Sequence, residues 1–523
     1  MPQLFHLTAI GLMCSLISAS AVLAQDTLLP LPDTSFKLKQ YEQLGVEDIK
    51  RGLQAPRELV ANRNNLGNTG NLKLEMNDGK ATVPFVVPNS VVLQFTPDTT
   101  PAQVDDYLRS KNLRVMKTYP TIGAVQVESD LSPYFASQLT DNGPNDAIMR
   151  GIATIITEFR KDPRIQSVSP DVYLSDKSNH DSLTIENMLS PSDVTIDMDS
   201  QEERTDWGIT DIEADKLWSL PGASDGVILG IMDVGFARHD DLVFIDFPIA
   251  TAPDNHGNHV AGISCGRHNG KGIKGVLPNC FVRARSGDVF FSSAEGTQVT
   301  SFFVLFSQIL GTLNDFIDSY DDVSAFNVSL GYNWRSNFGI NVDAQESATW
   351  RVLVENQGGF LVSILEAANK KGKVIYSAAG NDSEGMLPAV KAKYASPFNW
   401  AAITSRDAGR AANGVIVGAH NPDGSRSSFS NSGADISCPG LNIESTVAFD
   451  PNNNLSLSAY GKMSGTSMAS PYCAAAHVLF RLVRPGYTGG EIMNCFVRSG
   501  VPNNDGVPML RLTKALEACP ARG

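Results

Sequence analysis

Three short stretches put an acid, an imidazole and a hydroxyl where a folded chain could use them. Val227-Ile228-Leu229-Gly230-Ile231-Met232 is apolar enough for a buried strand and ends in Asp233-Val234-Gly235. The carboxylate therefore falls at the carboxyl edge of a parallel sheet, where α/β proteins site their ligands, although Asp and Gly also simply close strands. In Asp254-Asn255-His256-Gly257-Asn258-His259-Val260-Ala261-Gly262, Asp254 or Asn255 can cap a helix with His256 in its first turn, and Gly257 and Gly262 permit close approach of neighbouring backbone. Ser464-Gly465-Thr466-Ser467-Met468-Ala469-Ser470-Pro471 reads as a glycine turn that delivers Ser467 to the start of a buried helix, whose free N–H groups can meet developing negative charge. Each stretch alone is ordinary; in the order Asp, His, Ser they are far more specific. Zinc is disfavoured, because His256 and His259 are three apart with no intervening Glu, whereas zincins need His at i and i+4 around one.

The elements that must position these residues follow from periodicity. From Trp207 onward apolar strands alternate with helical segments, which predicts a parallel α/β sheet. Upstream, Val91–Phe95 reads as a strand, Pro101–Lys111 as a helix with Val104, Tyr107 and Leu108 on one face, and Leu113–Thr118 and Ala124–Val127 as strands. Asp146 can cap a helix carrying Ile148, Ile152, Ile155, Ile156 and Phe159, before a last strand at Ile165–Val168. The order β-α-β-β-α-β is the ferredoxin-like split pattern, which by itself says little about function. Residues 25–85 are polar without sustained periodicity and read as an extension. Residues 175–205 carry eight acidic residues, two basic ones and no aromatic, a composition that cannot bury a core and reads as a solvated linker.

The 523-residue chain is 42% hydrophobic and 19% charged, with 42 Lys+Arg against 56 Asp+Glu and a net charge of −14. That is a globular composition of the wrong sign for neutralising phosphates, so nucleic acid and anionic membrane are not expected partners. Leu7–Ala24, diluted by Gly11 and several serines and ending Ala21-Val22-Leu23-Ala24, fits a cleaved secretory signal over 1–24, an uncleaved anchor being the alternative. Without Cys14 six cysteines remain; an even number in an exported chain suggests disulfides, with buried free thiols as the other reading.

Asp233-Val234-Gly235 with His239-Asp240-Asp241-Leu242, the His256–Gly262 stretch and Gly465-Thr466-Ser467-Met468-Ala469-Ser470-Pro471 resemble the three signatures of subtilisin-like serine peptidases, whose triad runs in this order. Asn327-Val328-Ser329-Leu330-Gly331 resembles that family's substrate-binding strand, Ala378-Ala379-Gly380-Asn381 the segment with its oxyanion asparagine, and Phe429-Ser430-Asn431 and Cys438-Pro439-Gly440 match further. Val234, Asn258 and Asp240 depart from the family pattern without touching a proton-transferring atom. The resemblance implies an α/β fold, a subtilisin-like parallel sheet flanked by helices over 206–523, preceded by a ferredoxin-like inhibitory propeptide over 86–174 and a processing site in 175–205.

It further implies a secreted endopeptidase, extracellular or periplasmic, made as an autoprocessed precursor and acting on proteins or peptides, with its own propeptide as inhibitor. Its catalytic residues would be Asp233, His256 and Ser467, its oxyanion donors Asn381 and the Ser467 N–H, and its substrate strand Ser329, Leu330 and Gly331. No cofactor is needed for that chemistry. Relatives often carry structural calcium, but no Asp-x-Asp-x-Asp-Gly loop occurs and no metal residue is assigned. The resemblance brings Cys438 and Cys473 together near the active site; Cys265–Cys280 and Cys495–Cys519 complete the expected pairing. His239, His259, His268, His420 and His477 read as structural or surface residues. Asp382 reads as a plain exposed carboxylate or as a group facing the primary pocket. A catalytically silent binding protein on the same fold is the rival reading; an α/β-hydrolase would need a Gly-x-Ser-x-Gly elbow, absent around Ser467.

Overall fold

The computed structural model of the protein describes residues 75–77, 80–82, 86–136, 144–174, 202–233, 236, 238–245, 255–286, 304–335, 339–449 and 455–522. The readings that fall on 1–24, on most of 25–85, on 175–201 and on Val234, Gly235 and Asp254 lie outside them.

The first unit comprises β1 (Val86–Phe95), α1 (Pro101–Ser110), β2 (Arg114–Tyr119), β3 (Ala124–Glu128), α2 (Pro144–Phe159) and β4 (Ile165–Leu174). α1 starts where the Thr100 hydroxyl accepts from Gln103 N–H while the Gln103 amide oxygen accepts from Thr100 N–H at 2.8 Å, a reciprocal cap followed by Pro101, whose missing N–H costs nothing there. α2 begins at Pro144, not after the expected cap Asp146, which lies inside its first turn; proline is tolerated at a helix start for the same reason. Ile148, Ile152, Ile155, Ile156 and Phe159 are buried, as their helical spacing requires. The strands are antiparallel in the order β2-β3-β1-β4. Upstream, Glu75–Asn77 pairs with Lys80–Thr82, a ribbon too short to leave a periodic signal.

The second unit contains β5 (Val227–Asp233), α3 (Asn255–Cys265), β6 (Cys280–Ser286), β7 (Val304–Leu305), α4 (Phe306–Asp318), β8 (Val323–Val328), α5 (Ala348–Lys370), β9 (Val374–Ala378), β10 (Gly414–His420), β11 (Ile436–Pro439), β12 (Ile443–Phe449), β13 (Leu455–Met463) and α6 (Thr466–Val483). Its sheet runs β11-β10-β9-β8-β5-β6, every neighbouring pair parallel, with the short strands Pro508–Met509 and Val501–Pro502 added beyond β11. The near-continuous apolar strands suit burial on both faces. One core joins the first unit to α4 and α5; a second holds α3 and α6 on β5, β9 and β10.

The two units meet through polar contacts as well. Tyr173 pairs with Leu305 and Leu174 with Val304, so β7 extends the first sheet. Asp171, buried on β4, accepts from Ser307 N–H at 2.9 Å and Ser307 Oγ at 2.6 Å at the start of α4. Tyr119 Oη donates to Ser307 O at 3.0 Å, Gln94 Nε2 to Ser363 Oγ at 2.9 Å and Gln357 Nε2 to Ser169 Oγ at 3.2 Å. The segment read as ending at 205 is already folded by 202: Arg204 bridges Ile273 and pairs with Glu444, and Glu203 pairs with Lys274.

Among the described residues three disulfides are present, Cys265–Cys280, Cys438–Cys473 and Cys495–Cys519, spanning 15, 35 and 24 residues. The second ties β11 to α6. Closing the longest of these loops restricts the unfolded chain most, so replacing Cys438 and Cys473 together by Ala should lower stability by about 3 to 4 kcal/mol, read as a lower urea midpoint; an unchanged midpoint would show that this bond does not hold α6.

Candidate active site

Strand polarity gathers the candidate groups. β5, β8 and β9 run parallel and end at Asp233, Val328 and Ala378, so Asp233, Ser329 and Gly380-Asn381 lie together at the carboxyl edge. β8 stops at Val328, so Ser329 and Leu330 follow the strand instead of continuing it; both are buried. α3 brings His256 in its first turn, where Nδ1 lies 2.6 Å from Asp233 Oδ1, both side chains buried. A carboxylate on Nδ1 fixes the ring's orientation and tautomer and favours its cation, leaving Nε2 to handle a proton.

Ser467 is the second residue of α6 and 8% exposed, next to Thr466, which organises the neighbouring loop. Thr466 N–H and Oγ1 donate to Asn381 Oδ1 at 2.9 and 2.8 Å, and Thr466 Oγ1 accepts from Gly380 N–H at 3.1 Å. With its oxygen occupied by two donors, Asn381 presents its NH2 group as the free end of the amide. Gly380 adopts φ +97°, and a Cβ there would meet Asn431 Nδ2 at 2.5 Å, so the turn into Asn381 requires glycine.

Pro471 sits inside α6, four residues beyond Ser467, and has no N–H to donate to the Ser467 carbonyl. Ser329 Oγ donates to that carbonyl instead, at 3.2 Å. Asn327 Nδ2 donates to Ser329 Oγ at 3.0 Å, and Ser470 Oγ donates to Asn327 Oδ1 at 2.6 Å. The start of α6 and the end of β8 are thus one hydrogen-bonded unit. The family resemblance singled out Ser329, and neither it nor residue types and spacing gave the roles of Asn327, Thr466, Ser470 and Asn431; the proline at i+4 is the signal that a carbonyl near Ser467 needs a donor from outside the helix.

Asp382 is not an exposed carboxylate. It is 4% exposed, with Oδ1 accepting from Arg335 N–H at 3.2 Å and Oδ2 from Asn431 Nδ2 at 3.2 Å. Burial pushes its carboxyl above the ordinary range despite these bonds. The Arg335 segment folds over it, Arg335 Nη1 donating to Asp382 O at 3.0 Å. The other histidines are structural: His239, His259 and His268 bond to backbone carbonyls, His420 to Ser437 and Asp211, and His477 to Tyr376. Burial lowers His259 and His477 to about 3, so both rings are uncharged at neutral pH. His6 and His180 lie outside the described residues. Among the described residues no group of three or more His, Cys, Asp or Glu could hold a metal ion.

The model of the subtilase family matches residues 224–509, more than half of the chain. The chain belongs to the subtilase family. The subtilase is 25% identical over 323 residues to an alkaline protease of Alkalihalobacillus alcalophilus, covering 60% of this chain and 69% of that one. It is 26% identical over 297 residues to subtilisin Savinase of Lederbergia lenta, covering 55% and 88%. Among solved structures its fold is similar to that of fervidolysin from Fervidobacterium pennivorans, a keratinolytic enzyme related to subtilisin, with TM-score 0.50 and 17% identity over 86% of this chain and 63% of that one. The subtilase is a subtilisin-like serine endopeptidase with an α/β fold.

Because Thr466 orients Asn381, Asn381→Ala and Thr466→Val should affect one quantity. Asn381→Ala should lower kcat about a hundredfold with KM nearly unchanged, the size such a donor has in a subtilisin, and Thr466→Val should lower it in the same sense by less. Steady-state hydrolysis of a peptide substrate checks this; an effect confined to KM would remove Asn381 from the oxyanion role.

Proposed function

We propose that the subtilase is a secreted endopeptidase made as a self-processed precursor, and that it cuts peptide bonds through an acyl-enzyme on Ser467. The reading rests on the buried 2.6 Å contact between Asp233 and His256 at the sheet edge, in a chain of this family. Ser467 Oγ attacks the scissile carbonyl as His256 Nε2 takes its proton. The C–N bond then breaks and His256 returns the proton to the leaving amine. Asp233 holds the imidazole and stabilises its cation. Negative charge on the tetrahedral oxygen is met by Asn381 Nδ2 and the Ser467 N–H at the free N-terminus of α6. Water, activated by the same His256, then releases the acyl group. Backbone groups of Ser329, Leu330 and Gly331 pair with the extended substrate by strand addition. With Asp382 held by Arg335 and Asn431, no free carboxylate from that position draws a basic side chain into the primary pocket. No described helix is long and apolar enough to cross a membrane.

Residues 86–174 act as the inhibitory propeptide. The support is their shared core with α4 and α5 and the Asp171–Ser307 contacts. Because 202–206 is already bonded to the second unit, cleavage falls upstream of it. Wild-type protein should accumulate as a fragment beginning between Ser175 and Glu202, whereas Ser467→Ala should persist uncut and retain only a residual peptidase rate. N-terminal sequencing and peptide hydrolysis check both; near-normal turnover by Ser467→Ala, or the same cut in that variant expressed without other proteases, would contradict the reading.

The interface has a sign with pH. Burial raises the Asp171 carboxyl from 3.8 to about 6, opposed by its bonds to Ser307 and Ser90 and by Lys117 on β2. In the separated unit the Ser307 contacts are gone and water reaches the group, so the bound state holds its proton more tightly. Affinity of fragment 86–174 for the processed protein should be greatest below about pH 4 and fall through about pH 6, by about a hundredfold at most. Calorimetric titration at pH 4.5 and 7.5 measures it, and Asp171→Asn should flatten the difference; equal affinities in the wild type would mean that binding does not change the protonation of Asp171.

A further inference from the structure

One buried carboxylate outside the candidate triad connects to both helices that deliver its members. Asp206 is 8% exposed. Its Oδ1 accepts from Gly208 N–H at 2.8 Å and from the Tyr472 phenol at 2.7 Å, and its Oδ2 accepts from Glu444 N–H at 3.0 Å. Tyr472 lies on α6, five residues beyond Ser467, and is 1% exposed. Its ring packs on the Gly208 backbone so closely that a Cβ on Gly208 would stand 2.5 Å from it.

The other oxygen leads to α3. Glu444 belongs to β12, and the next two residues of that strand grip the helix of His256: Ser445 Oγ donates to His259 O at 2.7 Å and Thr446 Oγ1 to Asn258 O at 2.7 Å. A Cβ on Gly262 would meet Ser445 Oγ at 2.3 Å, so α3 lies flush on β12. The segment around Asp206 is itself fastened, by Arg204 to Glu444 at 3.0 Å and by Trp207 Nε1 to Leu441 O at 3.1 Å. Burial raises both the Asp206 carboxyl and the Tyr472 phenol, so the phenol keeps its proton and donates it to Asp206 at neutral pH.

We propose that Asp206 is a positioning residue for peptide hydrolysis: through Tyr472 and through β12 it sets the placement of the Ser467 helix relative to the His256 helix. The inference rests on the reading of Ser467 and His256 as nucleophile and base. Misplacement of a reacting group by about 1 Å costs up to about a hundredfold in rate, while Ser329–Gly331 stay tied to the start of α6 through the Ser329–Ser467 bond, so the displacement falls between Ser467 and His256 and the loss belongs in kcat.

Two near-isosteric changes test it. Tyr472→Phe removes only the phenol bond and leaves both backbone bonds of Asp206. Asp206→Asn sets an NH2 group against Glu444 N–H. In protein expressed from the full chain, each should lower kcat for a peptide substrate about tenfold, with KM within about twofold, at a temperature well below the thermal midpoint of every variant. The double variant should be little worse than the poorer single one, because both act on one connection. If Asp206→Asn does not fold, Tyr472→Phe alone decides. Wild-type kcat in Tyr472→Phe, with only a lowered thermal midpoint, would overturn the proposal and leave Asp206 a stabilising tie. Folded wild-type protein that hydrolyses no peptide would instead overturn the underlying reading, and it is seen before any variant is compared.

Discussion

A helix buried on all sides has no water with which to satisfy its ends, and this condition on α6 organises the rest of the molecule. Nearly every residue of Thr466–Val483 is buried, so the polar groups around its start that the helix cannot satisfy internally need partners on other elements. Pro471 adds one more demand by leaving the Ser467 carbonyl without its helical donor. The partners recruited are Asn381 for Thr466, Ser329 for the Ser467 carbonyl, Asn327 for Ser470 and Asp206 for Tyr472. Most of these also define the site. Satisfying a buried helix start and holding Asn381, Ser329 and Ser467, the proposed oxyanion donor, substrate strand and nucleophile, in fixed relation are the same set of bonds.

The parallel sheet and the candidate reacting groups were legible because they follow local rules. Apolar runs ending in Asp233, a glycine turn before Ser467 and isoleucines at helical spacing in α2 each depend on a few neighbouring residues. What escaped is long-range. Asp382 reads as exposed until Arg335, distant in sequence, folds onto it; Thr466 acquires its role only when β9 delivers Asn381 beside it. Asp206 and Tyr472 are separated by most of the second unit, and nothing local marks either. The acidic stretch illustrates the limit of composition: charge predicts solvation over 175–205, yet Glu203 and Arg204 find specific partners in Lys274 and Glu444, and the paired charges fold where unpaired ones would not.

The two units are joined by more than a surface contact. Their apolar residues form one core with α4 and α5, and the start of α4 takes a carboxylate from β4 as its partner. A segment so attached covers helices on one side of the sheet, while α3 and α6 pack on the other. The Asp233–His256 contact is therefore in place with the first unit attached.

The central claim, that Ser467 is a nucleophile activated by His256, is tested most directly by a fluorophosphonate, which forms a stable bond only with an activated serine. Mass mapping of the labelled, processed protein should find one adduct, on Ser467, and His256→Ala should abolish it while leaving the fold intact by circular dichroism. An unlabelled Ser467 in folded wild-type protein, or labelling that survives His256→Ala at the wild-type rate, would contradict the account.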